Sequence, residues 1–111
     1  MRFAVNIGFI YADLPFAQRV EAVRDAGFPA VESFWPGGAH IKEFQRAVDA
    51  HDMAVALINV DEGDYRKGER GFASHPDRRQ WWRSRLTEAL TLAERVGCSN
   101  LNVLTGYFDP L

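Results

Sequence analysis

Four short apolar runs alternate with three stretches in which apolar residues recur at helical spacing, and this alternation constrains the fold more than any other feature of the chain. The runs are Phe3 to Gly8, Pro29 to Phe34, Met53 to Val60 and Asn100 to Leu104. Between them, Phe16, Val20 and Val23 predict one helix stopped by Gly27. Ile41, Phe44 and Val48 predict a second helix that ends near His51. Trp82, Leu86, Ala89, Leu90, Ala93 and Val96 predict a third, ended by Gly97. Asp13-Leu14-Pro15 reads as a capped start for the first helix, and Ser74-His75-Pro76-Asp77 as a capping box for the third. Strands separated by helices must run parallel, because a crossover returns the chain to the same edge. The runs are apolar along most of their length, as parallel strands covered on both faces require.

The expectation is an α/β domain over 1–111, with four parallel strands and three crossover helices in the order β-α-β-α-β-α-β. Two architectures satisfy it: a small open sheet, or four units of an eight-unit barrel. In 111 residues, 13 Lys+Arg oppose 15 Asp+Glu, a formal charge of −2 that disfavours nucleic acid as a partner. Cys98 is the single cysteine, so an intrachain disulfide and a multi-cysteine zinc site are excluded. No apolar run reaches the roughly 18 residues of a membrane span, and no Ala-x-Ala-like cleavage site follows the N-terminal run. The expectation is a cytoplasmic protein without a membrane partner.

Side chains alternate across a strand, so parity assigns faces. Phe3, Val5 and Ile7 oppose Ala4 and Asn6; Val31 and Ser33 oppose Ala30, Glu32 and Phe34. Val55, Leu57 and Asn59 share a face, as do Asn100, Asn102 and Leu104. Each strand therefore carries one polar residue near its C-terminal end: Asn6, Glu32, Asn59 and Asn102. A buried polar group without a partner costs about 1–3 kcal/mol on mutational scales, so four on one rim point to a site. The carboxyl ends of parallel strands are where such folds build sites. The competing explanation is that the asparagines bond loop backbone while Glu32 pairs with an arginine.

The polar stretch Asp61 to His75 lies at the same rim and is long for a connection in a compact domain. In it Arg70 can clamp a carboxylate through two parallel hydrogen bonds. Glu69 can orient that guanidinium or bond a substrate hydroxyl. The basic-aromatic run Arg78 to Arg85 is read as a solvated helix face, with Trp82 in the core and Trp81 beside it. His40, His51 and His75 lack metal-ligand spacing and are expected near the surface. Cys98 is expected to be a small buried hydrophobe.

Phe3-Ala4-Val5-Asn6, Ala26-Gly27-Phe28, Ala30-Val31-Glu32, Asn59, Gly63-Asp64, Gly68-Glu69-Arg70-Gly71 and Leu101-Asn102-Val103-Leu104 occur in an order and spacing that resembles the hydroxypyruvate isomerase family, including the 2-oxo-tetronate isomerases. These are xylose-isomerase-like TIM barrels. The resemblance covers essentially the whole chain and is most specific at Gly-Asp-x-x-x-Gly-Glu-Arg-Gly. It implies the amino-terminal half of a TIM (β/α)8 barrel. It also implies isomerisation of a small hydroxy or keto acid, hydroxypyruvate to tartronate semialdehyde, assisted by a divalent metal (Mg or Mn) that stabilises an enediolate. The family's metal ligands and catalytic glutamates fall on later strands. No catalytic or metal-binding residue is therefore expected in this chain, and Asn6, Glu32, Asn59, Glu69, Arg70 and Asn102 are the expected substrate-binding set.

Departures are visible at Ile7-Gly8-Phe9, at Trp35-Pro36-Gly37-Gly38, and at Val60-Asp61-Glu62, where the family carries a more apolar, proline-bearing stretch. The first and fourth strands of half a barrel lack neighbours, so self-association or a complementary half-barrel is expected. The alternative function is a non-catalytic half-barrel that binds a small hydroxy acid or assembles. A metal-dependent DNA endonuclease, which shares the superfamily fold, fits the charge balance least.

Overall fold

A computed structural model describes residues 1–107; Phe108 to Leu111, part of the closing segment after the fourth strand, lie outside the described residues. The chain forms β1 (Ala4–Asn6), α1 (Phe16–Asp25), β2 (Ala30–Ser33), α2 (Ile41–Ala50), β3 (Ala54–Asn59), α3 (Arg79–Val96) and β4 (Leu101–Asn102). All three strand pairs are parallel, and the sheet order β1-β2-β3-β4 follows the sequence. Each crossover therefore advances one strand in the same direction, which is how a (β/α)8 barrel grows. The fold is the α/β arrangement that the alternation predicts.

One face of the sheet is packed under the helices. Ile7, Val31, Val55 and Ile58 from the sheet side meet Val20 and Val23 of α1, Phe44, Ala47 and Val48 of α2, and Leu92 and Ala93 of α3. Cys98 lies in the same cluster as a free thiol. On the other face, Ala4, Ala30, Ala54 and Ala56 line an open cleft of about 360 Å³ together with Arg2, Phe3 and Pro29. Small side chains on that face leave the sheet uncovered where a closed barrel would pack its interior.

The parity expectation fails at one place. The register runs Val31 to Val55 but Glu32 to Leu57, so a bulge leaves Ala56 without a partner. Val55 consequently turns into the helical cluster, away from Leu57 and Asn59 with which simple alternation grouped it. Beyond the bulge alternation resumes: Ile58 is fully buried against the helices, and Leu57 and Asn59 face the other way.

Three local expectations are also corrected. Asp13 does not cap α1: the helix begins after Pro15 with no side-chain cap. Arg19 secures the preceding loop instead, donating to the carbonyls of Leu14 (2.8 Å), Ala12 (2.8 Å) and Ile7 (3.2 Å). Ser74 does not form a capping box, because a single 3-10 turn at Pro76–Arg78 precedes α3. Its hydroxyl donates to the Thr105 carbonyl at 2.7 Å, tying the long loop to the chain after β4. On α3, Leu90 is 49% exposed and Trp82 is only half-buried, while Leu92 is buried. Trp81 makes the aromatic contact, meeting Phe72 edge-on at 5.1 Å with Arg78 stacked over both rings.

Candidate functional site

The candidate site lies at the carboxyl ends of the strands. Asn6 pairs in register with Glu32, and Asn59 with Asn102. Because Glu32 lies beside Leu57, the Asn59–Asn102 pair sits two residues further along the strands than the Asn6–Glu32 pair. That step is about 7 Å at strand rise, so the four polar residues form two tiers. Within the upper tier, Asn102 Nδ2 donates to Asn59 Oδ1 at 3.1 Å. In the lower tier, Asn6 Oδ1 accepts the Gly8 N–H at 2.9 Å and so shapes the first turn after β1. A side chain at Gly8 would run into the Phe34 ring, which fixes glycine at this close approach. The half-buried Glu32 carboxylate makes no hydrogen bond or ion pair among the described residues; the arginine partner of the competing explanation is not there.

The Asp61–His75 loop is ordered by its own side chains. Asp64 accepts the Arg66 N–H at 2.9 Å and starts a 3-10 turn over Tyr65–Lys67. Glu69 Oε2 accepts the Asp64 N–H at 2.6 Å, closing the turn. Glu69 therefore steers Arg70 through its backbone carbonyl, not its carboxylate: Arg70 Nη1 donates to Glu69 O at 2.6 Å and to Tyr65 O at 3.3 Å. The guanidinium lies 4.0 Å over the Tyr65 ring, and Tyr65 stacks on Phe34 at 5.4 Å. Phe9 meets the same Phe34 edge-on at 4.8 Å. Loop and strand ends are thus joined by a continuous run of rings with Arg70 at one end. Nε and Nη2 of Arg70 carry no protein acceptor among the described residues.

At its far end the loop is pinned to β4. The Gly71 N–H donates to the Glu62 carbonyl at 2.7 Å, and Gly71 bridges Thr105. Gly71 has φ 96°, and a Cβ there would collide with the Leu104 carbonyl, so backbone passes backbone too closely for any side chain.

One buried acid beside these residues lies outside the expected set. Glu62 is 4% exposed and its Oε2 is buried without a hydrogen-bond partner. Burial pushes its carboxyl up to about 7, against hydrogen bonding from its own backbone, the Trp35 backbone and the Asn59 side chain; the neighbouring Asp61 charge raises it further. Its charge in turn raises the Tyr65 hydroxyl, on which burial acts most. In the sequence Glu62 belongs to a polar run and reads as solvated. The available signal was its position three residues after Asn59, where the resembled family is apolar.

No three of His, Cys, Asp and Glu come together among the described residues in a way that could hold a metal ion. No described helix is long and apolar enough to cross a membrane. His40 is exposed, and His51 and His75 are half-buried.

Comparison with known proteins follows the same geometry. The family model described as Xylose isomerase-like TIM barrel matches residues 20–110. The chain is 34% identical over 104 residues to the 2-oxo-tetronate isomerase of Haemophilus influenzae, covering 94% of this chain and 40% of that protein. It is 29% identical over 106 residues to the hydroxypyruvate isomerase of Escherichia coli, covering 96% and 41% respectively. A crystal structure described as AP endonuclease, family 2 from Brucella melitensis superposes with a TM-score of 0.89 at 31% identity, covering 99% of this chain and 43% of that one. The chain spans about two-fifths of the length of the curated relatives it matches.

Proposed function

The chain belongs to the xylose isomerase-like TIM barrel family, and from that premise we propose that residues 1–111 supply the amino-terminal half of a small hydroxy- or keto-acid isomerase of the hydroxypyruvate-isomerase type. The reading is supported by relatives named for that activity and for 2-oxo-tetronate isomerisation. The observation that carries it is Arg70. Two carbonyls and the Tyr65 ring hold its guanidinium in place, while Nε and Nη2 stay free as a preformed fork for a substrate carboxylate. Holding the fork before the ligand arrives reduces the entropy that binding must overcome.

The remaining roles follow from what each side chain can donate or accept. The Asn59–Asn102 pair offers amide groups to a substrate hydroxyl or carbonyl. Glu32, unpaired in the lower tier, accepts from a hydroxyl, while Asn6 holds the Gly8 turn against Phe34. Glu69 keeps the loop closed so that Arg70 stays in place. The described residues do not fit the divalent ion (Mg or Mn) that the resemblance implies, so no step here passes through one and no proton-transfer residue is assigned to this chain. A cytoplasmic location is part of the same proposal. So is assembly: β1 and β4 are edge strands, and the alanine face lies open, so a second copy or a complementary half-barrel would cover both.

A binding titration tests the reading. Hydroxypyruvate should bind the purified chain, and Arg70→Lys should weaken it by about ten-fold or more, because an ammonium cannot reproduce the bidentate fork. Equal binding by wild type and Arg70→Lys would contradict it. Turnover of hydroxypyruvate by this chain alone, with Mg²⁺ or Mn²⁺ added, would contradict the view that it lacks the proton-moving residues. The Brucella melitensis structure described as an AP endonuclease raises DNA as a second ligand class. The formal charge of −2, and the use of Arg78 against Phe72 and Trp81, place that reading second.

A further inference from the structure

We propose that the cleft between the end of the Asp61–His75 loop and the start of α3 binds a phosphoryl dianion through Arg79, Arg83 and His75, either inorganic phosphate or the phosphate of a small monoester. No residue that lines it belongs to the strand-end tiers or to the Arg70 fork, so the inference goes beyond the small-acid reading and does not depend on it.

Arg79 and Arg83 stand one turn apart on the same side of α3. Both border a cavity of about 180 Å³, together with the Trp82 ring, and no acid lines it. The placement is costly. Like charges four residues apart repel on a helix. Arg79 also opens α3, at the positive end of its dipole, and the first turn holds no acid to offset it. The other arginines around this turn are occupied. Arg78 lies over the Phe72 and Trp81 rings at 4.2 and 4.9 Å, and Arg85 pairs with Glu88 at 2.8 Å. Among the described residues, the Arg79 and Arg83 side chains have no hydrogen bond, ion pair or ring of their own. Two cations therefore share one opening with nothing in the described chain to neutralise them.

The opposite wall is held independently of the arginines. The His75 ring meets Phe72 edge-on at 5.5 Å, and a Cβ at Gly106 would run into it. Gly106, at φ 91°, thus leaves the room that the imidazole occupies. Packed on two sides, that imidazole makes no hydrogen bond or ion pair among the described residues. Ser74 pins the wall in place: its N–H (3.0 Å) and its hydroxyl (2.7 Å) both donate to the Thr105 carbonyl. A pocket shaped before its ligand arrives loses less entropy on binding.

The donors decide the ligand class. Two guanidiniums from α3 and an imidazole from the loop reach one small volume from different directions. A planar carboxylate of single charge is satisfied by one guanidinium fork. A tetrahedral phosphoryl group carries about −1.5 to −2 near pH 7 and offers three acceptor oxygens, which matches the pair in charge and the three donors in number.

Titration of the whole chain with inorganic phosphate, at an ionic strength held constant with chloride, tests the proposal. The Arg79 and Arg83 Nε signals and the Trp82 indole signal should shift together and saturate. Equal affinity for phosphate and glycerol phosphate would assign the free anion, and tighter binding of the ester would assign a monoester; both uphold the site. Arg79→Gln and Arg83→Gln should each weaken binding by about ten-fold, the worth of one charge-assisted hydrogen bond. Without phosphate neither variant should melt below wild type, because a repulsion has been removed, and phosphate should raise the wild-type melting temperature more than that of either variant. Equal shifts with chloride alone, unchanged affinity in the Arg79→Gln/Arg83→Gln double variant, or phosphate shifts abolished by Arg70→Lys would overturn the proposal.

Discussion

Asn102 donates its side-chain N–H to Asn59 Oδ1 at 3.1 Å across the β3–β4 pair, the one side-chain to side-chain hydrogen bond between neighbouring strands among the described residues. Asn59 is 5% exposed and Asn102 half-buried, so the acceptor end of the bond is shielded from water. Replacing Asn59 by Ala should cost about 1–3 kcal/mol, because the Asn102 amide loses its partner and a buried polar side chain is removed. Urea denaturation measures this. A loss no larger than that of an exposed substitution such as Lys42→Ala would show that the pair is incidental.

Gly71→Ala should cost about 1–3 kcal/mol, since the residue sits at φ 96° and a methyl group meets the Leu104 carbonyl. The loop should come away from β4, which is visible as faster hydrogen exchange at the Gly71 amide that now bonds the Glu62 carbonyl. Unchanged exchange in the variant would mean that the loop is held elsewhere.

Glu62 makes stability depend on pH in a stated direction. Its folded-state value, about 7, lies above the ordinary 4.5, so between these values the folded chain holds a proton that the unfolded chain releases. The contribution is therefore complete below about 4.5 and is lost as pH rises toward 7 and beyond. Glu62→Gln should flatten this slope and leave the variant the more stable of the two above neutrality. Thermal melts across that range measure it; identical slopes for both proteins would contradict the assignment.

The fold was legible because strand and helix periods differ, and each switch between them coincides with Gly27, Pro29, Pro36-Gly37-Gly38 or Gly97. Asn6, Glu32, Asn59 and Asn102 could be placed at strand ends for the same reason. What parity could not supply was the bulge at Ala56, which depends on how β3 fits β2 and not on the order of its own residues. Capping patterns at Asp13 and Ser74 misled, because Arg19 and the Thr105 carbonyl compete for the same loops from far away in sequence. Glu62 was missed because an acid in a polar loop reads as solvated; its burial comes from the loop folding back until Gly71 meets its carbonyl.

Edge strands give the assembly prediction. With the outer edges of β1 and β4 lacking a neighbour among the described residues and the alanine face open, the chain should self-associate in sedimentation experiments as its concentration rises. A well-folded monomer at every concentration would count against it. Charged substitution at Ala30 in the centre of that face should weaken association without unfolding the chain, since Ala30 is only half-buried.

The central claim is that the strand ends and the Arg70 loop form one mouth for a small hydroxy acid. Following the ¹H–¹⁵N signals of the Asn59 and Asn102 side chains and of Arg70 Nε during addition of hydroxypyruvate tests it most directly. The account predicts that all three shift together and saturate at one affinity. Shifts confined to the outer faces of α1 and α2, or none at these three groups at saturating acid, would contradict it.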